Sequence, residues 1–454
     1  KQLNMLDIKF IRDNQKKVKD GLVKKNVQFQ RDGKKTTVDE FIQRILTLDG
    51  ERLAHLRELE GLKAEQNLLS ATIAKLSDAT RTAKVAESAE LKHKIAGIET
   101  LLCETATSLE PLMYQMPNIP ADDAPVGKSE KENVVVREVG DKRSFSFKPR
   151  DYMALGDTLD LIDTERAAKV SGSRFGYLKH EAPLLEFAFV QFAFSRLIRE
   201  EFIRHIVDVR SLGISTKPFI PVVPPVMIRP EVYRGMGRLD PGQEEERYFL
   251  PKDNLYLVGS SEHTTGPMHM GEAFAKDSLP HRHIAFSTCF RREAGSYGKD
   301  TKGILRVHQF DKVELFSFAD PGSSNTEHEL LLGIQEAFMK ELKLPYRAVL
   351  ICTGDMGWPD AKQYDIEAWM PGQNQYRETH SASNTTDFQS RRLCIRYKNA
   401  EGKNELLHML NATALAIGRM LIAILENYQN EDGSVDVPEA LVPYMHGITR
   451  ITPR

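Results

Sequence analysis

Apolar residues recur at helical spacing in two long segments near the start of the chain, from about 38 to 76 and from about 85 to 109. Both segments are rich in Leu, Glu, Lys, Ala and Arg and contain no proline. In the second, the positions of the stripe follow alternating four- and three-residue steps, as in the seam of a coiled coil. They are Leu91, Ile95, Ile98, Leu102, Thr105 and Leu109, and the first segment carries a looser stripe of Ile42, Leu46, Leu53, Leu56, Leu59, Leu62, Leu69, Ile73 and Leu76. The short polar stretch SDATRTAK joins the two, so the pattern predicts an antiparallel helical hairpin over about 38–109 that projects as an arm.

Basic residues are distributed along this predicted arm and could meet the phosphates of a nucleic acid. They are Arg52, Arg57, Lys63, Lys75, Arg81, Lys84, Lys92 and Lys94. Taken by itself, the pattern is explained more simply as the solvated outer face of a coiled coil. A coiled coil that joins two copies of the chain is a further interpretation.

The rest of the chain alternates between strand-like and helical stretches, after a proline-rich and polar segment over 113–150 that predicts a linker. Runs of β-branched and aromatic residues predict strands within 219–228, 247–259, 283–293, 312–318 and 392–399. Helices are predicted over 327–342 and 412–429. Consecutive strands with helices grouped between them indicate an α+β domain, in which helices pack on an antiparallel sheet.

Composition and charge restrict the possible functions only weakly. With 454 residues the chain is long enough for two or three folding units. Its formal net charge of −2 means that any nucleic acid must meet a local basic patch. No apolar run approaches the roughly 20 residues that span a bilayer, and no signal-peptide pattern opens the sequence, so we expect an intracellular, cytoplasmic protein. The four cysteines are scattered, which favours free thiols over a structural zinc site.

Residues 290–316, FRREAGSYGKDTKGILRVHQFDKVELF, concentrate charge between two predicted strands. The glycine-bearing loop 294–303 would join these strands into a long hairpin. Alternation along each strand predicts one face of polar and aromatic side chains. They are Arg291 and Glu293 on the first strand, and Arg306, His308 and Phe310 on the second. Such a face suits a nucleotide, because arginine forks bind phosphate, an aromatic ring stacks on a base and a carboxylate accepts from an exocyclic amine.

The same stretch resembles motif 2 of the class II aminoacyl-tRNA synthetases, at about 284–318, in the form carried by the seryl-tRNA synthetases. VVPPVM, which contains Pro225, is similar to motif 1 at about 215–230, and NATALAIGRMLIAILENYQ is similar to motif 3 at about 408–428. The segment 364–397, which contains YDIEAW and RETHSASN, resembles the sequence that precedes motif 3 in the seryl enzymes. MLDIKFIRDN and the helical arm also fit, so the resemblance covers essentially the whole chain.

The resemblance implies a class II catalytic domain over 151–454, built on an antiparallel β-sheet flanked by helices. It also implies an amino-terminal tRNA-binding domain over 1–112 that carries the arm. The implied activity is ATP-dependent activation of L-serine to seryl adenylate, followed by transfer to the 3′ end of tRNA(Ser), with tRNA(Sec) as a further acceptor. A homodimer without membrane attachment, Mg²⁺ as the metal, and recognition of the tRNA by the helical arm complete the expectation.

Individual residues acquire roles through the resemblance. Arg291 and Arg419 would be the catalytic residues, with Arg291 bridging the α-phosphate of ATP and the serine carboxylate. The ATP site would comprise Arg291, Arg292, Glu293, Arg306, Val307, Phe310, Glu378, Thr379, His380, Ser381 and Arg419. Glu378 and Ser381 would bind Mg²⁺, since a carboxylate and a hydroxyl suit that ion. L-Serine would contact Ser260, Ser261, Glu262, Arg291, Glu314, Asn411 and Thr413.

The chain departs from the family pattern at a few positions. Ser260 and Ser261 stand where Thr-Ala is frequent. His380 stands where serine is frequent, and Arg292 where a small residue is frequent. The approach to motif 1 is also several residues longer than usual. None of these departures removes a charged residue that the chemistry needs.

Two alternatives to this function stay open. One is a synthetase-like ligase that charges a carrier protein, but such enzymes lack the long arm and use a cysteine-rich zinc site. The other is a catalytically silent paralogue that binds nucleic acid or a protein partner. Against it stand the intact Arg291, Glu293, Glu378, Ser381 and Arg419.

Overall fold

The structure is a computed structural model that describes residues 7–31, 34–75, 77, 79–239, 242–294 and 302–454. The chain forms two compact units, residues 1–117 and residues 118–454. Leu76 of the predicted stripe and residues 295–301 of the predicted motif 2 loop lie outside the described residues.

The first unit combines a small base with two long helices. Its elements are α1 (Ile8–Asp13), α2 (Gln15–Lys24), β1 (Phe29–Arg31), β2 (Lys34–Thr36), α3 (Val38–Ile73) and α4 (Ala79–Tyr114). A capping box starts α3: Thr37 Oγ1 accepts from the Glu40 backbone N–H (3.2 Å), and Glu40 Oε2 accepts from the Thr37 N–H (2.9 Å). Phe29 stacks on Phe41 with ring centroids 3.7 Å apart, which holds the small β-hairpin against α3.

The apolar stripe predicted from the sequence lies between α3 and α4, which pack along their length. Leu59, Leu69, Leu91, Ile95 and Leu109 are all buried. An ion pair between Lys63 Nζ and Glu99 Oε1 (2.8 Å) also links the two helices. The helical hairpin is therefore confirmed, but α4 is longer at both ends than predicted. It continues through Pro111, although proline removes a backbone donor and crowds the preceding turn, and the buried Met113 packs the last turn.

The second unit contains the remaining elements. Its helices are α5 (Tyr152–Thr158), α6 (Thr164–Ser171), α7 (Glu181–Leu197), α8 (Glu200–Val209), α9 (Pro230–Gly235), α10 (Glu262–Thr265), α11 (Ser324–Glu341), α12 (Phe388–Leu393) and α13 (Ile417–Asn427). Its strands are β3 (Val134–Val139), β4 (Ile162–Asp163), β5 (Tyr177–Leu178), β6 (Ile220–Val222), β7 (Met227–Ile228), β8 (Phe249–Leu250), β9 (Leu255–Leu257), β10 (Ala273–Ala275), β11 (His281–Phe290), β12 (Gln309–Ala319), β13 (Tyr346–Leu350), β14 (Lys362–Met370), β15 (Gln375–Asn384), β16 (Arg396–Lys398), β17 (Asn404–Leu406), β18 (His408–Ala416), β19 (Val435–Asp436) and β20 (Arg450–Ile451). In the part of the chain that the structure describes, no helix combines the length and the apolar character needed to cross a membrane.

An eight-stranded sheet forms the centre of this unit, in the order β3-β13-β14-β15-β18-β12-β11-β6. Neighbouring strands pair antiparallel, except that β6 runs parallel to β11. Helices α7, α11 and α13 contact the sheet, and Phe192 of α7 meets Phe338 of α11 with ring centroids 5.2 Å apart. The predicted α+β fold with a largely antiparallel sheet is confirmed.

The linker predicted over 113–150 needs correction. Its later part contributes β3, which pairs antiparallel with β13 at the edge of the large sheet. Three prolines lie within 117–125. Val134, Val135 and Val136 follow them, and these β-branched residues favour the extended backbone of β3. Residues from 118 onwards therefore belong to the second unit.

Two other element boundaries also differ from the prediction. The helix expected over 412–429 starts only at Ile417, because the residues up to Ala416 belong to β18 in the interior of the sheet. Alanine and leucine favour a helix by only a fraction of a kcal/mol per residue, and pairing with two neighbouring strands outweighs that preference. The strand expected over 392–399 begins at Arg396, because α12 takes the first two positions.

A buried ion pair ties the sheet to α11. Arg282 Nε and Nη2 donate to the two carboxylate oxygens of Glu327 (2.6 and 2.7 Å). Arg282 also donates to the backbone oxygens of Lys217 (2.6 Å) and Ser215 (3.0 Å), while Ser317 Oγ donates to Glu327 Oε1 (2.8 Å). The two charged side chains are 0% and 2% exposed, so neither charge has water to replace its partner.

Removing one member of this pair is expected to destabilise the second unit strongly. In Glu327→Ala the guanidinium of Arg282 stays buried without its anion, which costs about 3–5 kcal/mol. The melting temperature should fall by roughly 10 °C. The double variant Arg282→Met/Glu327→Leu should recover most of that loss, because it leaves no buried charge. Thermal denaturation followed by circular dichroism measures both, and a Glu327→Ala protein that melts with the parent would contradict the expectation.

Candidate active site

A cleft of about 690 Å³ opens in the second unit around the facing ends of β11 and β12, beside β15, β18 and the start of α13. Its described lining consists of Arg291, Glu293, Ile304, Leu305, Arg306, Val307, Phe310, Lys312, Glu378, Thr379, Ser381, Thr413, Ala416, Gly418 and Arg419. Four of these side chains are cations and two are carboxylates. The lining is therefore net positive and suits a polyanion.

Arg291 directly follows β11 and is held by several contacts. Its Nε donates to the backbone oxygen of Gly259 (3.1 Å), and its guanidinium carbon lies 5.2 Å from the centroid of the Phe310 ring. Its backbone N–H donates to the His308 oxygen (2.9 Å), and His308 Nδ1 lies 3.0 Å from the Arg291 oxygen. His308 thus supports the backbone of Arg291. It was predicted to lie on the polar face of the second strand, but it is not among the described residues that line the cleft.

Most of the residues predicted to form the charged strand faces lie outside the two regular strands. β11 stops at Phe290 and β12 starts at Gln309, so Glu293 lies outside regular strand structure. Its φ of +51° is a left-handed conformation that is uncommon for a residue with a side chain. Glu293 Oε2 lies 3.4 Å from Arg306 Nη1, and the Glu293 backbone oxygen accepts from Arg174 Nη1 (3.3 Å). Tertiary contacts, and not strand periodicity, bring Glu293 and Arg306 to the cleft.

A β-bulge brings the two predicted metal ligands to one side of β15. Residues three apart on a regular strand point to opposite faces, yet Glu378 and Ser381 both line the cleft. In the pairing with β14 the register shifts between Ile366 and Glu367, which leaves Thr379 as the extra residue. The bulge shifts the alternation of side chains by one position, so Glu378 and Ser381 point to the same face although they are three residues apart.

Glu378 is paired with Arg419 at the side of the cleft. Arg419 Nη1 donates to the Glu378 backbone oxygen (3.0 Å) and lies 3.1 Å from its Oε2. Desolvation in the cleft opposes ionisation of Glu378, but Arg419 and then Arg291 outweigh it and hold the pKa of Glu378 below its usual value. The same carboxylate raises the pKa of Arg419. For Asp365 on β14, desolvation and the charge of Glu378 act together and raise its pKa well above the usual value.

A second bulge, between β12 and β18, places a carboxyl group deeper in the site. The register shifts after Val313, so that Glu314 stands opposite Thr413. Lys312 Nζ lies 2.6 Å from Glu314 Oε2, and both side chains are buried. Burial raises the pKa of Glu314, and the positive charge of Lys312 offsets this effect only in part.

Glu262, the first residue of α10, is the second buried carboxyl group. Arg238 Nε donates to its Oε1 (2.8 Å). Burial opposes ionisation of Glu262, but Arg238 and then Lys312 outweigh it, and the pKa of Glu262 lies below its usual value. The pKa of Glu314 shifts the opposite way. One ionised carboxylate can therefore meet an ammonium group, while the other carboxyl group is suited to exchange a hydrogen bond with a hydroxyl.

Two buried polar groups beside these carboxyl groups make no hydrogen bond within the described part of the chain. They are Ser261 Oγ, next to Glu262, and Asn411 Nδ2, two residues before Thr413. Ser260 Oγ, by contrast, accepts from the Glu262 N–H (3.3 Å). An unpaired buried polar group costs about 1–3 kcal/mol, which a polar ligand bound here would recover.

Known proteins share both units of this chain. Residues 5–120 match the family model "Seryl-tRNA synthetase N-terminal domain", and residues 248–428 match "tRNA synthetase class II core domain (G, H, P, S and T)". The serine–tRNA ligase of Dictyoglomus turgidum is 40% identical over 450 residues, which cover 99% of this chain and 100% of that protein. The chain belongs to the seryl-tRNA synthetase family.

Two further seryl-tRNA synthetases support the assignment. The serine–tRNA ligase of Thermobifida fusca is 43% identical over 404 residues, or 89% of this chain and 91% of that protein. The crystal structure of seryl-tRNA synthetase from Pyrococcus horikoshii complexed with ATP superposes with a TM-score of 0.87 at 38% identity, covering 99% of this chain and 100% of that one. Sequence and fold therefore agree over almost the full length.

Most of the residues that the seryl-tRNA synthetase pattern assigns to ATP come together in the cleft. They are Arg291, Glu293, Arg306, Val307, Phe310, Glu378, Thr379, Ser381 and Arg419. Arg292 and His380 are not part of its described lining. The Arg292 guanidinium carbon lies 5.8 Å from the Tyr248 ring centroid. His380 is buried with Nδ1 2.8 Å from Thr379 Oγ1, and burial lowers its pKa to about 3.

The residues that the seryl-tRNA synthetase pattern assigns to serine divide into two groups. Arg291 and Thr413 line the cleft itself. Glu262 and Glu314 are buried, yet the charges of Lys312 and Arg291 act on both of them. Ser260, Ser261 and Asn411 are buried as well. Lys312 lines the cleft and lies 2.6 Å from Glu314 Oε2, so the Glu314 carboxyl group is next to a cation of the cleft.

Sequence reasoning missed two cations of this site. Alternation along DKVELF puts Lys312 and Glu314 on one face of β12, so a signal for Lys312 was available. Arg238 lies after α9, outside the recognised motifs, and no local pattern marks it as the partner of Glu262. Its role depends on contacts between segments that are distant in sequence.

Proposed function

We propose that this protein is a serine–tRNA ligase, which activates L-serine with ATP and transfers the seryl group to the 3′ end of tRNA(Ser). The observation that carries the proposal is a cationic cleft whose charges act on two buried carboxyl groups, Glu262 and Glu314. The pKa of Glu262 is lowered, and the pKa of Glu314 is raised. The cleft suits a triphosphate, and the carboxyl pair suits an amino acid with a hydroxyl group. The names of the relatives, and the ATP complex of the Pyrococcus horikoshii enzyme, support the same substrates.

In the first step, a carboxylate oxygen of serine forms a bond to the α-phosphorus of ATP. The bond between that phosphorus and the oxygen of the leaving pyrophosphate breaks. Two anions must approach each other, and Arg291 is suited to neutralise both because its position is already fixed by Gly259 and His308. Arg419 and Arg306 would offset the charge of the outer phosphates. In the second step, a ribose hydroxyl of the terminal adenosine attacks the seryl carbonyl carbon, and AMP leaves.

Serine would be recognised by both of its polar ends. The ionised Glu262 would accept from the ammonium group, and Glu314 with Thr413 would contact the side-chain hydroxyl. The unpaired Ser261 Oγ and Asn411 Nδ2 offer further hydrogen bonds. A site built in this way rejects alanine, because binding an analogue without the hydroxyl leaves buried polar groups unpaired.

Magnesium belongs to the proposal as the ion that accompanies ATP. The donor set fits, because the bulge in β15 puts a carboxylate and a hydroxyl on the same side, and the pKa of Glu378 is held low. Glu378 and Ser381 would hold the ion, which keeps several waters and takes other ligands from the phosphates. Bound there, Mg²⁺ would neutralise phosphate charge.

Replacing Glu378 with glutamine is expected to weaken the use of Mg²⁺. The amide keeps the size of the side chain and a possible hydrogen bond to Arg419 but loses the negative charge that attracts the ion. The Mg²⁺ concentration for half-maximal pyrophosphate exchange should rise by at least ~10-fold. Glu367→Gln on β14, whose side chain pairs with Arg347, is the matched control. An unchanged Mg²⁺ requirement with lower turnover would mean that Glu378 acts only through Arg419.

We further propose that the arm binds the tRNA. Arg52, Lys63 and Lys84 are engaged with Asp49, Glu99 and Glu87, respectively. Arg57, Lys75, Arg81, Lys92 and Lys94 are exposed on the hairpin and could contact the phosphate backbone. tRNA(Sec) as a second acceptor, a homodimer and a cytoplasmic location complete the proposal on family grounds; sedimentation and cell fractionation test the last two.

A charging assay tests the proposal as a whole. Radiolabelled serine, ATP and Mg²⁺ are supplied with a tRNA(Ser) transcript, the same transcript without its long variable arm, and an alanine tRNA transcript. We expect charging of the complete tRNA(Ser) only. A folded protein that binds ATP but charges none of them would favour a catalytically silent paralogue.

A further inference from the structure

Three histidines meet at the start of β11, outside the described lining of the cleft. His281 and His283 are two residues apart on β11 and therefore share a face of the strand. His269 ends a short 3₁₀ helix, Gly266–His269. One ring nitrogen from each histidine lies within 4.8 Å of the other two, and the His281 and His283 ring centroids are 4.8 Å apart.

The nitrogens of this cluster are poorly satisfied. His269 Nδ1 lies 2.8 Å from Glu272 Oε2, while its Nε2 is buried and makes no hydrogen bond to a described residue. His283 is 1% exposed, and neither of its nitrogens makes a hydrogen bond of normal geometry within the described chain. A buried imidazole nitrogen that lacks a hydrogen-bond partner in the described chain is available to a metal ion.

We propose that His269, His281 and His283 bind one first-row divalent transition-metal ion, with Zn²⁺ as the best fit. Imidazole binds Zn²⁺ at about 2.0–2.1 Å, so a tetrahedral site needs ligand nitrogens about 3.3 Å apart. Each present separation closes to that value by a movement of roughly 1.5 Å or less, which side-chain rotation supplies. Water would complete the tetrahedron.

The carboxylate of Glu272 strengthens the proposal. A histidine that binds a metal through one nitrogen commonly donates its other N–H to a carboxylate, which fixes the tautomer and aims the ring. Glu272 meets Nδ1 of His269, and the free Nε2 is the nitrogen that remains for the ion. The ion would tie the short 3₁₀ helix that follows α10 to β11.

Aromatic packing is the competing explanation for the cluster. His269 lies 4.8 Å from Phe274 and 5.4 Å from Phe318, measured between ring centroids. His281 lies 5.2 Å from Phe274. If packing alone explains the cluster, phenylalanine should replace His281 without consequence, whereas a metal site would be lost.

The test uses the full-length protein without an affinity tag, stripped with EDTA. Cobalt(II) is titrated while the visible bands of tetrahedral Co²⁺ are recorded, and Zn²⁺ is then added as a competitor. Melting temperatures are measured with and without Zn²⁺. The variants are His283→Ala and His281→Phe, and the matched control is His93→Ala, which removes an exposed histidine on α4.

We expect one Co²⁺ per chain, displaced by Zn²⁺, and a melting temperature at least ~2 °C higher with Zn²⁺. Both cluster variants should lose the bands and the thermal shift, and His93→Ala should keep them. If His283→Ala does not fold, His281→Phe decides, because it retains an aromatic ring. Absence of the bands in the parent protein, or their survival in His281→Phe, would overturn the proposal.

Discussion

Replacing Arg291 with alanine is expected to lower the turnover of serine-dependent pyrophosphate exchange about a thousandfold, with much less effect on melting temperature. Gly259 and His308 fix this side chain and its backbone, so its charge is in place before the reaction begins. In the proposed mechanism, Arg291 neutralises the serine carboxylate and the α-phosphate as they approach. Without it the two anions meet in a cleft whose other cations are already engaged, as Arg419 is with Glu378.

The adjacent Arg292 provides the matched control for this experiment. It has the same chemistry, but its guanidinium lies against Tyr248, outside the described lining of the cleft. We expect Arg292→Ala to lose less than about tenfold, since it removes no group aimed at the reacting atoms. Equal losses in the two variants would show that general positive charge matters and that Arg291 has no special position. Arg291→Lys should stay strongly impaired, because lysine cannot form two parallel hydrogen bonds.

Shortening the arm is expected to abolish tRNA charging while leaving seryl adenylate formation intact. The ion pair between Lys63 and Glu99 marks the register of the hairpin, so residue 54 lies across from about residue 108. Deleting 55–106 and closing the gap with a short Gly-Ser turn keeps the base of the first unit, including the buried Phe41 and Leu109. Pyrophosphate exchange should match the parent, and charging should fall by at least ~100-fold, because most of the proposed phosphate contacts are gone.

A full-length charge variant tests the same interaction without deleting any residue. Lys75→Glu, Arg81→Glu, Lys92→Glu and Lys94→Glu together reverse four exposed charges. This protein should show weaker tRNA binding and a shallower dependence of binding on salt concentration, because fewer counterions are released. For the protein in which residues 55–106 are deleted, the contradicting result is a loss of adenylate formation as well, which would mean that the arm is needed for folding.

The regular parts of the fold were predictable because their signals are local. The stripe through Leu91, Ile95 and Leu109 depends only on helical periodicity, and the structure buries all three residues between α3 and α4. Strand composition likewise located β11 and β12 to within a few residues. Hydrophobic spacing within one element needs no knowledge of its partners.

The geometry of the site was less predictable because it depends on interruptions. Glu378 and Ser381 share a side only through the bulge at Thr379, and a bulge is a property of two paired strands. Alternation assigned Glu293 and Arg306 to strand faces, but β11 ends before Glu293 and β12 begins after Arg306. The family resemblance assigned roles to these residues, and the structure adds the physical reason why they line one cleft.

Partners from distant segments gave no sequence signal at all. Arg238 meets Glu262, and His269 approaches His281, only after the chain has folded. Alanine-rich β18 shows the same limit, because its strand conformation comes from pairing with β12 and β15 and not from its own preferences. Local propensity therefore failed where neighbouring strands impose the conformation.

Serine-dependent exchange of labelled pyrophosphate into ATP, with Mg²⁺ and without tRNA, tests the central claim most directly. It is measured with serine, alanine, threonine and cysteine in parallel. The account predicts exchange with serine, and with alanine at least ~10⁴-fold less, because alanine leaves the polar groups around Glu314 and Thr413 unpaired. No exchange with serine from a folded protein that binds ATP, or equal exchange with alanine, would contradict it.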